Sequence, residues 1–378
     1  MTQSTERGLN PDRRFAQVSA PARVAEPGEA ISTEELQLAA RNHGMPLEAL
    51  AYDLTPTGLH YLLTHFDIPI VDPVTWRLRV GGLVQRPYEL GLDELRAMDS
   101  RTLTVTFECA GNGRARFEPR AQSQPWLQEA VGTAEWTGVP LRHLLERAGL
   151  LESAVDVVLT GADHGVERGV EQDYQRGLAV GDATAGDVLV AYEMNGAPLP
   201  PQHGFPARVV VPGWYGMTQV KWLTGVEVVG EPFYGFQHHA YSLRQQRDDP
   251  GEQLTRIEPR ALLVPPGFPD YYSRARVVRL GPVQLQGRAW SGWGPVSRVE
   301  VSVDDGLTWA DADLDEPVGG SAYAWRSWRA EWHSSPGEHV LTARAHDSTG
   351  RSQPVRAMWN RGGFANNSVQ RVRVACLP

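Results

Sequence analysis

The residues best suited to chemistry lie in the stretch TFECAGNGRARF, residues 106–117. Cys109 comes directly after a strand-like run and directly before a Gly-Asn-Gly loop, and the chain has only 2 cysteines. A cysteine thiolate is a nucleophile or a soft metal ligand. The loop amides can point at a bound anion, and Arg114 and Arg116 are expected to lower the pKa of the thiol. The residues alone also allow a small buried cysteine beside an ordinary turn.

Basic side chains border a second group of apolar runs. His203 and Arg208 stand in HGFPAR, directly before VVVPG, and Lys221 is the second residue of the run VKWL. These three look like a phosphate clamp, because guanidinium and ammonium groups bind phosphate through charge-assisted hydrogen bonds. A solvated charged face is the alternative. Asp163 follows the apolar run DVVLTGA, at a strand end that suits either a ligand or a plain turn.

Several well-defined motifs are missing from the sequence. It has no GxGxxG loop between a strand and a helix, no Walker A lysine, no CxxC, no HExxH and no GxSxG. The segment GNGRAR lacks the third glycine of a dinucleotide-binding loop. We therefore exclude a Rossmann dinucleotide site, a P-loop, a HExxH zinc protease and a nucleophile-elbow hydrolase.

The bulk composition limits the class of protein. A chain of 378 residues predicts two to three domains, and 41% hydrophobic with 21% charged residues is typical of a globular protein. The net charge of -9 does not indicate a nucleic-acid or anionic-membrane partner. Two cysteines cannot form a disulfide framework, so Cys109 and Cys376 are interpreted as thiols.

The first residues are polar and carry no apolar stretch. We expect residues 1–32 to form a polar, largely disordered tail, and we expect a cytoplasmic location because no signal peptide is recognisable. No apolar run in the sequence is long enough to cross a bilayer.

Local patterns predict an α+β region over residues 33–250. Ser32 and Glu35 have the spacing of a capping box and predict a helix that stops near His43. The run PLRHLLERAGLL predicts a second helix with an apolar face and a glycine at its end. The strand-like runs TLTVTFEC, DVVLTGAD, DVLVAYEM, ARVVVPG and VKWLTGVEVVG surround these helices.

The character of the sequence changes after the Pro/Gly-rich stretches DDPGEQ and VPPGFPD. Residues 251–378 contain short alternating runs and hardly any helix pattern. In VEVSVDDGLTW, valines alternate with polar residues, and Asp305-Gly306 predicts a hairpin turn. About seven such strands favour an all-β, immunoglobulin-like sandwich.

Five motifs in order carry a family resemblance. They are RNH at 41–43, TFECAGNGR at 106–114, LVAYEMNG at 189–196, HGFPARVVVPG at 203–213 and VKWL at 220–223. Together they resemble the sulfite oxidase family of molybdopterin-dependent oxidoreductases, in particular its bacterial branch without a haem domain. The resemblance implies a molybdopterin-binding α+β domain followed by an immunoglobulin-like dimerisation domain, which agrees with the boundary near residue 250.

The resemblance also implies site residues. Cys109 matches the cysteine ligand of molybdenum, and Tyr241 matches the tyrosine beside the metal. Arg41 and Arg114 match arginines of the substrate pocket, where guanidinium groups bind oxyanions. The positions that match the binding site of the molybdenum-molybdopterin cofactor are Asn42, His43, Asp163, His203, Arg208, Gln219, Val220 and Lys221. No haem is expected in this chain.

The implied reaction is the oxidation of sulfite to sulfate, with electrons passed to cytochrome c, another acceptor or oxygen, in a homodimer. The alternative is a molybdopterin oxidoreductase for another oxyanion or an S-oxide, such as nitrate. Three positions differ from the family pattern: Gly113 replaces an arginine, Ala240 replaces an aspartate, and Arg361 stands one position early. Either a small backbone shift preserves the role of Arg361, or the pocket has one positive charge fewer.

Two further hypotheses come from other classes. The first is a hydrolase that uses Cys109 as its nucleophile. The second is a carbohydrate-binding or protein-binding module built on the tryptophans of the second half; we favour a structural role for them, in the core or at an interface. They are Trp290, Trp293, Trp309, Trp325, Trp328 and Trp332.

Overall fold

The computed structural model describes residues 23–378. Most of the predicted polar tail, residues 1–22, lies outside the described part. Residues 23–32 are not a free tail. Val24 pairs with Ala121, and the guanidinium of Arg120 donates to the carbonyls of Glu29 and Ala30. This corrects the expectation of disorder for these residues, because backbone pairing at Val24 and the guanidinium of Arg120 hold them against the domain.

The helices are short and begin and end at local signals. The capping box at Ser32 and Glu35 is formed, as predicted. The second predicted helix ends at Gly149, whose positive φ of 72° suits glycine. The helices are α1 Thr33–Arg41, α2 Leu92–Arg96, α3 Leu141–Ala148, α4 Val180–Ala183 and α5 Phe236–Ala240. Turns of 3₁₀-helix span Leu47–Ala51, Thr57–Leu59, Arg114–Arg116, Pro201–His203, Gly216–Thr218 and Val318–Gly320.

Two sheets form the first half of the protein. Their strands are β1 Leu78–Gly82, β2 Tyr88–Leu90, β3 Arg101–Glu108, β4 Val131–Pro140, β5 Asp156–Glu167, β6 Val170–Ala179, β7 Leu189–Met194, β8 Ala197–Pro198, β9 Arg208–Val210 and β10 Leu223–Val229. One sheet has the order β2-β1-β10-β5-β6; in the other, β3-β4-β7-β8, strand β9 also pairs with β7. Side chains of both sheets and of α3 share one apolar core, so the two sheets are packed together.

The second half is a β-sandwich. A short strand pair, β11 Ser242–Leu243 with β12 Glu252–Gln253, precedes it, and the predicted boundary at residue 250 falls between them. The sandwich strands are β13 Arg260–Leu263, β14 Phe268–Pro269, β15 Arg276–Arg279, β16 Gly281–Trp290, β17 Val296–Ser302, β18 Ala310–Asp311, β19 Asp313–Pro317, β20 Arg326–Ser334, β21 Gly337–Asp347 and β22 Val372–Leu377. They form sheets β13-β16-β20-β19 and β14-β15-β22-β21-β17-β18 around a common core.

The backbone at Asp305-Gly306 forms a turn, as the sequence predicts. Strand β17 pairs with β18 in antiparallel fashion, and the chain reverses between them. Asp305 has a φ of 58° and Gly306 a φ of 85°, the left-handed pair that Asp-Gly sequences favour. The connection is longer than a two-residue hairpin loop because β18 begins only at Ala310.

A buried ion pair joins the two halves. Glu108, the last residue of β3, and Arg260, the first residue of β13, each expose 1% of the residue surface. Arg260 Nε lies 2.7 Å from Glu108 Oε1, and Trp290 Nε1 donates to Glu108 Oε2 at 2.7 Å. The guanidinium of Arg260 also donates to the carbonyl of Asn366. The residue before Cys109 is therefore held by the sandwich.

The tryptophans of the second half have structural partners. Trp325 is fully buried and donates to the carbonyl of Asp53, which lies in the first half. Trp328 and Trp332 lie in the sandwich core. Trp293 and Trp309 lie beneath arginine guanidinium groups, at 3.8 Å and 4.2 Å. These contacts support the core-and-interface interpretation of the tryptophans.

Within residues 23–378, no helix combines the length and the apolar character needed to cross a lipid bilayer.

Replacing Arg260 by Met is expected to lower the free energy of unfolding by about 3–5 kcal/mol, because it leaves the Glu108 carboxylate buried without its cation. Urea unfolding followed by circular dichroism measures the loss. The matched control is Arg79→Met, which breaks the exposed Arg79–Glu89 pair and should cost under about 1 kcal/mol. Equal losses for the two variants would contradict a dominant role of the Glu108–Arg260 pair.

Candidate functional site

One partly open cavity brings together side chains from distant parts of the first half. Seven of the predicted site residues line it: Cys109, Asp163, His203, Arg208, Gln219, Lys221 and Tyr241. The remaining wall includes a segment that sequence reasoning did not select, residues 60–65, together with Phe107, Tyr174, Gly216 and Met217.

Cys109 is presented by the end of β3. Its backbone amide donates to the carbonyl of Ala130, and the residue is 5% exposed, although it lines the cavity. Burial raises the pKa of the thiol above its ordinary value, and this outweighs the lowering by the charge of Arg114. Arg116 is exposed. Arg114 thus lowers the pKa as expected, but the net shift is upward because desolvation of the thiolate is the larger effect.

The loop after Cys109 is fixed by hydrogen bonds rather than flexible. Asn112 donates to Glu108 Oε1 at 3.0 Å and accepts from the amide of Ala130 at 3.1 Å. Gly113 has a φ of 91°, and a Cβ atom there would lie 2.6 Å from the carbonyl oxygen of Asn366. The departure from the family pattern at this position therefore has a steric reason: the C-terminal segment passes too close for a side chain.

Arg114 lies beside the site but is occupied by the backbone. Its guanidinium donates to the carbonyls of Gln124 and Gly362 and lies 4.9 Å from the ring of Phe364. Burial lowers its pKa below the ordinary arginine value. The side chain is not part of the cavity wall, so its predicted role in binding substrate stays a prediction.

Two buried cations face the cavity. Arg208 donates to the carbonyls of His203 and Gln219, and its guanidinium lies over the rings of Phe107 and Trp136. Burial lowers its pKa to about 10. These contacts fix the plane of the guanidinium group, so its charge is held in one place at the cavity wall.

Lys221 is the only lysine in the sequence; all other cationic side chains of the Lys/Arg type are arginine. Its Nζ donates to the carbonyl of Leu63 at 2.8 Å and to that of Gln202 at 3.1 Å. Burial, and then the charge of Arg208, lower its pKa to about 7. Two cations buried together without a paired carboxylate favour binding of an anion.

Asp163 has a carboxylate oxygen that accepts no hydrogen bond from the described part of the protein. Its Oδ1 atom is buried and has no hydrogen-bond partner among residues 23–378. Burial raises its pKa to about 6, although the charge of Lys221 lowers it. A ligand that brings N–H groups would satisfy this carboxylate.

The imidazoles at the wall are neutral at pH 7. Burial lowers the pKa of His203 to about 2 and that of His60 to about 4. The two rings contact each other edge to face at a centroid distance of 5.5 Å. They provide polar contacts to a ligand without adding positive charge.

Tyr241 is paired with a histidine that sequence reasoning missed. Its hydroxyl lies 2.7 Å from Nε2 of His65, and the ring of His65 packs against Tyr174. His60 and His65 stand in HYLLTHFD, which has no pattern that separates them from structural histidines.

Besides Arg114, four predicted site residues do not line the cavity. Arg41 donates to the carbonyl of Phe66, Asn42 binds Thr64 and Gln124, and the backbone of His43 pairs with Leu62. Arg41 to His43 therefore support the wall segment 60–65 from behind. Val220 is fully buried in the apolar core. Contacts of these residues with a cofactor stay predictions.

The structure also locates the other two residues that differ from the family pattern, Ala240 and Arg361. Ala240 is buried in the last turn of α5, directly before Tyr241. Arg361 donates its backbone amide to the carbonyl of Arg244, and its side chain is not part of the cavity wall.

The side chains of the site do not form a metal site from protein ligands alone. In the part of the chain that the structure describes, no group of three or more His, Cys, Asp or Glu residues could hold a metal ion. One thiol, two buried cations and an unsatisfied carboxylate instead fit an organic group with phosphate and N–H functions that brings further metal ligands itself.

Family models match both halves of the chain. The oxidoreductase molybdopterin binding domain matches residues 65–237, and the Mo-co oxidoreductase dimerisation domain matches residues 272–376. Sulfite oxidase of Gallus gallus is 35% identical over 354 residues, covering 86% of this chain and 74% of that protein. The chain belongs to the sulfite oxidase family of molybdopterin-dependent oxidoreductases. The predicted family is thus confirmed.

Other similar proteins are named for two different activities, sulfite oxidase and nitrate reductase. Mitochondrial sulfite oxidase of Mus musculus is 34% identical, and the match covers 86% of this chain and 62% of that protein. Nitrate reductase [NAD(P)H] of Hordeum vulgare is 32% identical, with coverage of 86% and 40%. The chain thus spans less than two thirds of the length of these two proteins.

A solved structure supports the fold over nearly the whole chain. The sulfane dehydrogenase SoxCD from Paracoccus pantotrophus superposes with a TM-score of 0.77 at 25% identity, covering 98% of this chain and 91% of that one. The predicted α+β molybdopterin-binding domain followed by an all-β sandwich is confirmed.

The cysteine-nucleophile hypothesis has no support in the geometry. No histidine of the described part is hydrogen-bonded to the Cys109 thiol, and burial raises its pKa. A nucleophilic cysteine needs the opposite conditions, a base partner or a lowered pKa. A buried thiol that becomes a thiolate only on binding a metal fits the site better.

Lys221→Met is expected to remove a pH dependence of stability in the cofactor-free protein. The folded-state pKa of about 7 lies below the ordinary value of 10.5, so between pH 7 and 9 the unfolded chain retains a proton that the folded chain has lost. The free energy of unfolding from this group therefore rises with pH, by about 2 kcal/mol over that range. Urea unfolding at both pH values measures it.

Arg79→Met, at an exposed cation, is the control and should keep the pH dependence of the unmodified protein. The same rise with pH in Lys221→Met and in the unmodified protein would show that another group is responsible.

Proposed function

We propose that this chain oxidises sulfite to sulfate with a molybdenum-molybdopterin cofactor. The observation that carries the proposal is the meeting of Cys109, Arg208, Lys221 and Asp163 at one cavity of a sulfite oxidase family member. When bound, the cofactor supplies oxygen-atom transfer coupled to two-electron redox chemistry. The absence of haem from this chain stays a prediction.

The protein residues would hold the cofactor by complementary chemistry. Cys109 would be the one protein ligand of the metal, since a soft thiolate suits a metal that also binds a dithiolene. Arg208 and Lys221, with His203 beside them, would bind the phosphate. The unpartnered Oδ1 of Asp163 would accept from pterin N–H groups. Gln219 is occupied by the backbone of Val211 and Trp214 and would shape the wall.

The wall also offers neutral polar groups to a small oxyanion. The two buried cations at the wall are assigned to the cofactor phosphate, so the groups left for sulfite are uncharged. Tyr241 and His65 lie at this wall and can hydrogen-bond to the anion.

A second substrate class also has support. Several relatives are nitrate reductases at 31–32% identity, and Arg114 and Arg361 do not contribute to the cavity wall as described. Another oxyanion or an S-oxide, with nitrate as the first to try, is therefore the alternative. Both substrates are small oxyanions, and they differ in the direction of electron flow.

The test is metal analysis followed by two assays. We expect about one molybdenum per chain and sulfite-dependent reduction of ferricyanide or cytochrome c. Nitrate-dependent oxidation of the reduced enzyme without sulfite turnover would replace the sulfite proposal by the alternative. Cytochrome c and oxygen are the acceptors to compare, because sulfite oxidation releases two electrons.

Cys109→Ser should reduce turnover to background, since a hydroxyl is a poor substitute for a soft thiolate ligand. The matched control is Cys376→Ser, which changes the other cysteine, buried in the sandwich core and remote from the cavity. Activity retained by Cys109→Ser would overturn the ligand assignment. Loss in both variants would point to a folding defect.

We also propose that the protein is a homodimer through its sandwich. Large apolar side chains are exposed on β14 and β22, on the turn between β14 and β15, and directly after β15. They include Phe268, Tyr271, Tyr272, Leu280 and Leu377. Exposed apolar patches of this kind mark protein interfaces.

Sedimentation velocity is expected to give the mass of two chains. Glutamates in place of Tyr271 and Tyr272 should shift the protein to one chain without unfolding it, because these side chains are 78% and 92% exposed. A dimer that persists in this double variant would place the interface elsewhere.

A further inference from the structure

The indole of Trp126 carries a buried hydrogen-bond donor that the fold leaves without an ordinary acceptor. The residue is 5% exposed, and its Nε1 atom forms no hydrogen bond of ordinary geometry within residues 23–378. Trp126 does not line the cavity, so this N–H group does not face the space for a ligand. Because a buried donor without an acceptor costs stability, we searched the surroundings of the indole for a group that could accept from it.

The backbone holds Trp126 against the loop that follows Cys109. The amide of Ala115, in this loop, donates to the carbonyl of Trp126 at 3.0 Å. Further along the chain, the carbonyl of Ala130 accepts from the amide of Cys109 at 2.9 Å. Trp126 and Cys109 also belong to the same buried apolar cluster. The segment 126–130 is therefore bonded to both ends of the loop, and the indole lies beside the thiol.

Two N–H groups act on the sulfur of Cys109. Burial raises the pKa of the thiol, whereas Arg114, then the amide of Gly111 and the indole of Trp126 as hydrogen-bond donors, lower it. A thiol sulfur is a weak acceptor, but a thiolate is charged, and hydrogen bonds to charged groups are roughly twice as strong as neutral ones. The two donors are therefore placed to act on the thiolate form of Cys109.

We propose that the indole N–H of Trp126 and the backbone N–H of Gly111 donate hydrogen bonds to the sulfur of Cys109 when this sulfur binds the metal. The inference rests on the proposed function for one point, the role of Cys109 as the metal ligand. Hydrogen bonds to a ligating sulfur withdraw electron density from it and so raise the reduction potential of the metal. Trp126 acts on the metal through the sulfur and is thus a positioning residue.

Trp126→Phe removes the indole donor and keeps an aromatic ring in the apolar cluster. The absorption band that arises from electron transfer from the thiolate to molybdenum should move to longer wavelength, because the sulfur becomes more electron-rich. For the same reason the reduction potential of the metal should become more negative. Spectroelectrochemical titration of the full chain with its cofactor and without sulfite measures both, with variants matched for molybdenum content.

Trp328→Phe is the matched control. Trp328 is also fully buried and has an Nε1 atom without a partner among residues 23–378, but it lies in the sandwich core. The same loss of ring volume and of one N–H group at this position should leave the band and the potential unchanged. Equal shifts in the two variants, or no shift in Trp126→Phe, would overturn the proposal.

The unmodified protein gives a second readout that requires no variant. Protein produced in deuterated medium carries N–D groups at buried positions, and a hydrogen bond to the sulfur couples these groups to the metal–sulfur bond. The metal–sulfur stretching bands in the resonance Raman spectrum should therefore shift between the protonated and the deuterated protein. Identical bands in the two preparations would contradict hydrogen bonding to the ligating sulfur.

The KM for sulfite separates this role from a direct contact with the substrate. Since Trp126 is not part of the cavity wall, KM should stay within about twofold in Trp126→Phe, whereas kcat should follow the changed potential. A raised KM with an unshifted band would mean that the indole contacts the anion, against the proposal. A shifted band and potential in a protein that does not oxidise sulfite would uphold the hydrogen bonds and refute the proposed function alone.

Discussion

The site depends on the carboxylate of Glu108. This group ends β3, directly before Cys109, and it binds Arg260, Trp290 and Asn112 in a fully buried network. Burying a carboxylate is costly unless its oxygens are paired and hydrogen-bonded, and here both oxygens are. Because two of the partners belong to the sandwich, the sandwich orients the strand end that presents the thiol. The C-terminal half is thus part of the support of the site as well as a surface for association.

A second principle is the concentration of positive charge in a negative protein. The cations at the cavity wall are held by backbone carbonyls and aromatic faces instead of carboxylates. Carbonyls fix their position without neutralising their charge, so the attraction for an anion is retained. The lowered pKa values of Arg208 and Lys221 reflect the free-energy cost of that arrangement. An anionic ligand would offset it.

Much of this could be predicted where the signal is local. The capping box at Ser32, the apolar face of α3 and the Asp305-Gly306 turn depend on neighbours within a few residues, and each is present. The seven cavity residues came from motifs read in order. The features that could not be predicted from the sequence depend on tertiary packing. The burial of Cys109 is set by β4 and the C-terminal segment, and the pairing of His65 with Tyr241 joins residues that no local pattern relates. Likewise, Asn42 and His43 look like ligands in sequence, but their partners are found behind the wall.

Because the sequence has a single lysine, Lys221 can be modified selectively. Every other Lys/Arg cation in this protein is a guanidinium group, which does not acylate or condense with aldehydes under mild conditions. Burial also lowers the pKa of Lys221 to about 7, so a substantial share of its amine is unprotonated at neutral pH. Apart from the α-amino group, a reagent that modifies amines therefore has one target in this sequence, Lys221 on the wall of the cavity. A reagent with an aldehyde and a negative charge would report directly on whether that cavity is filled.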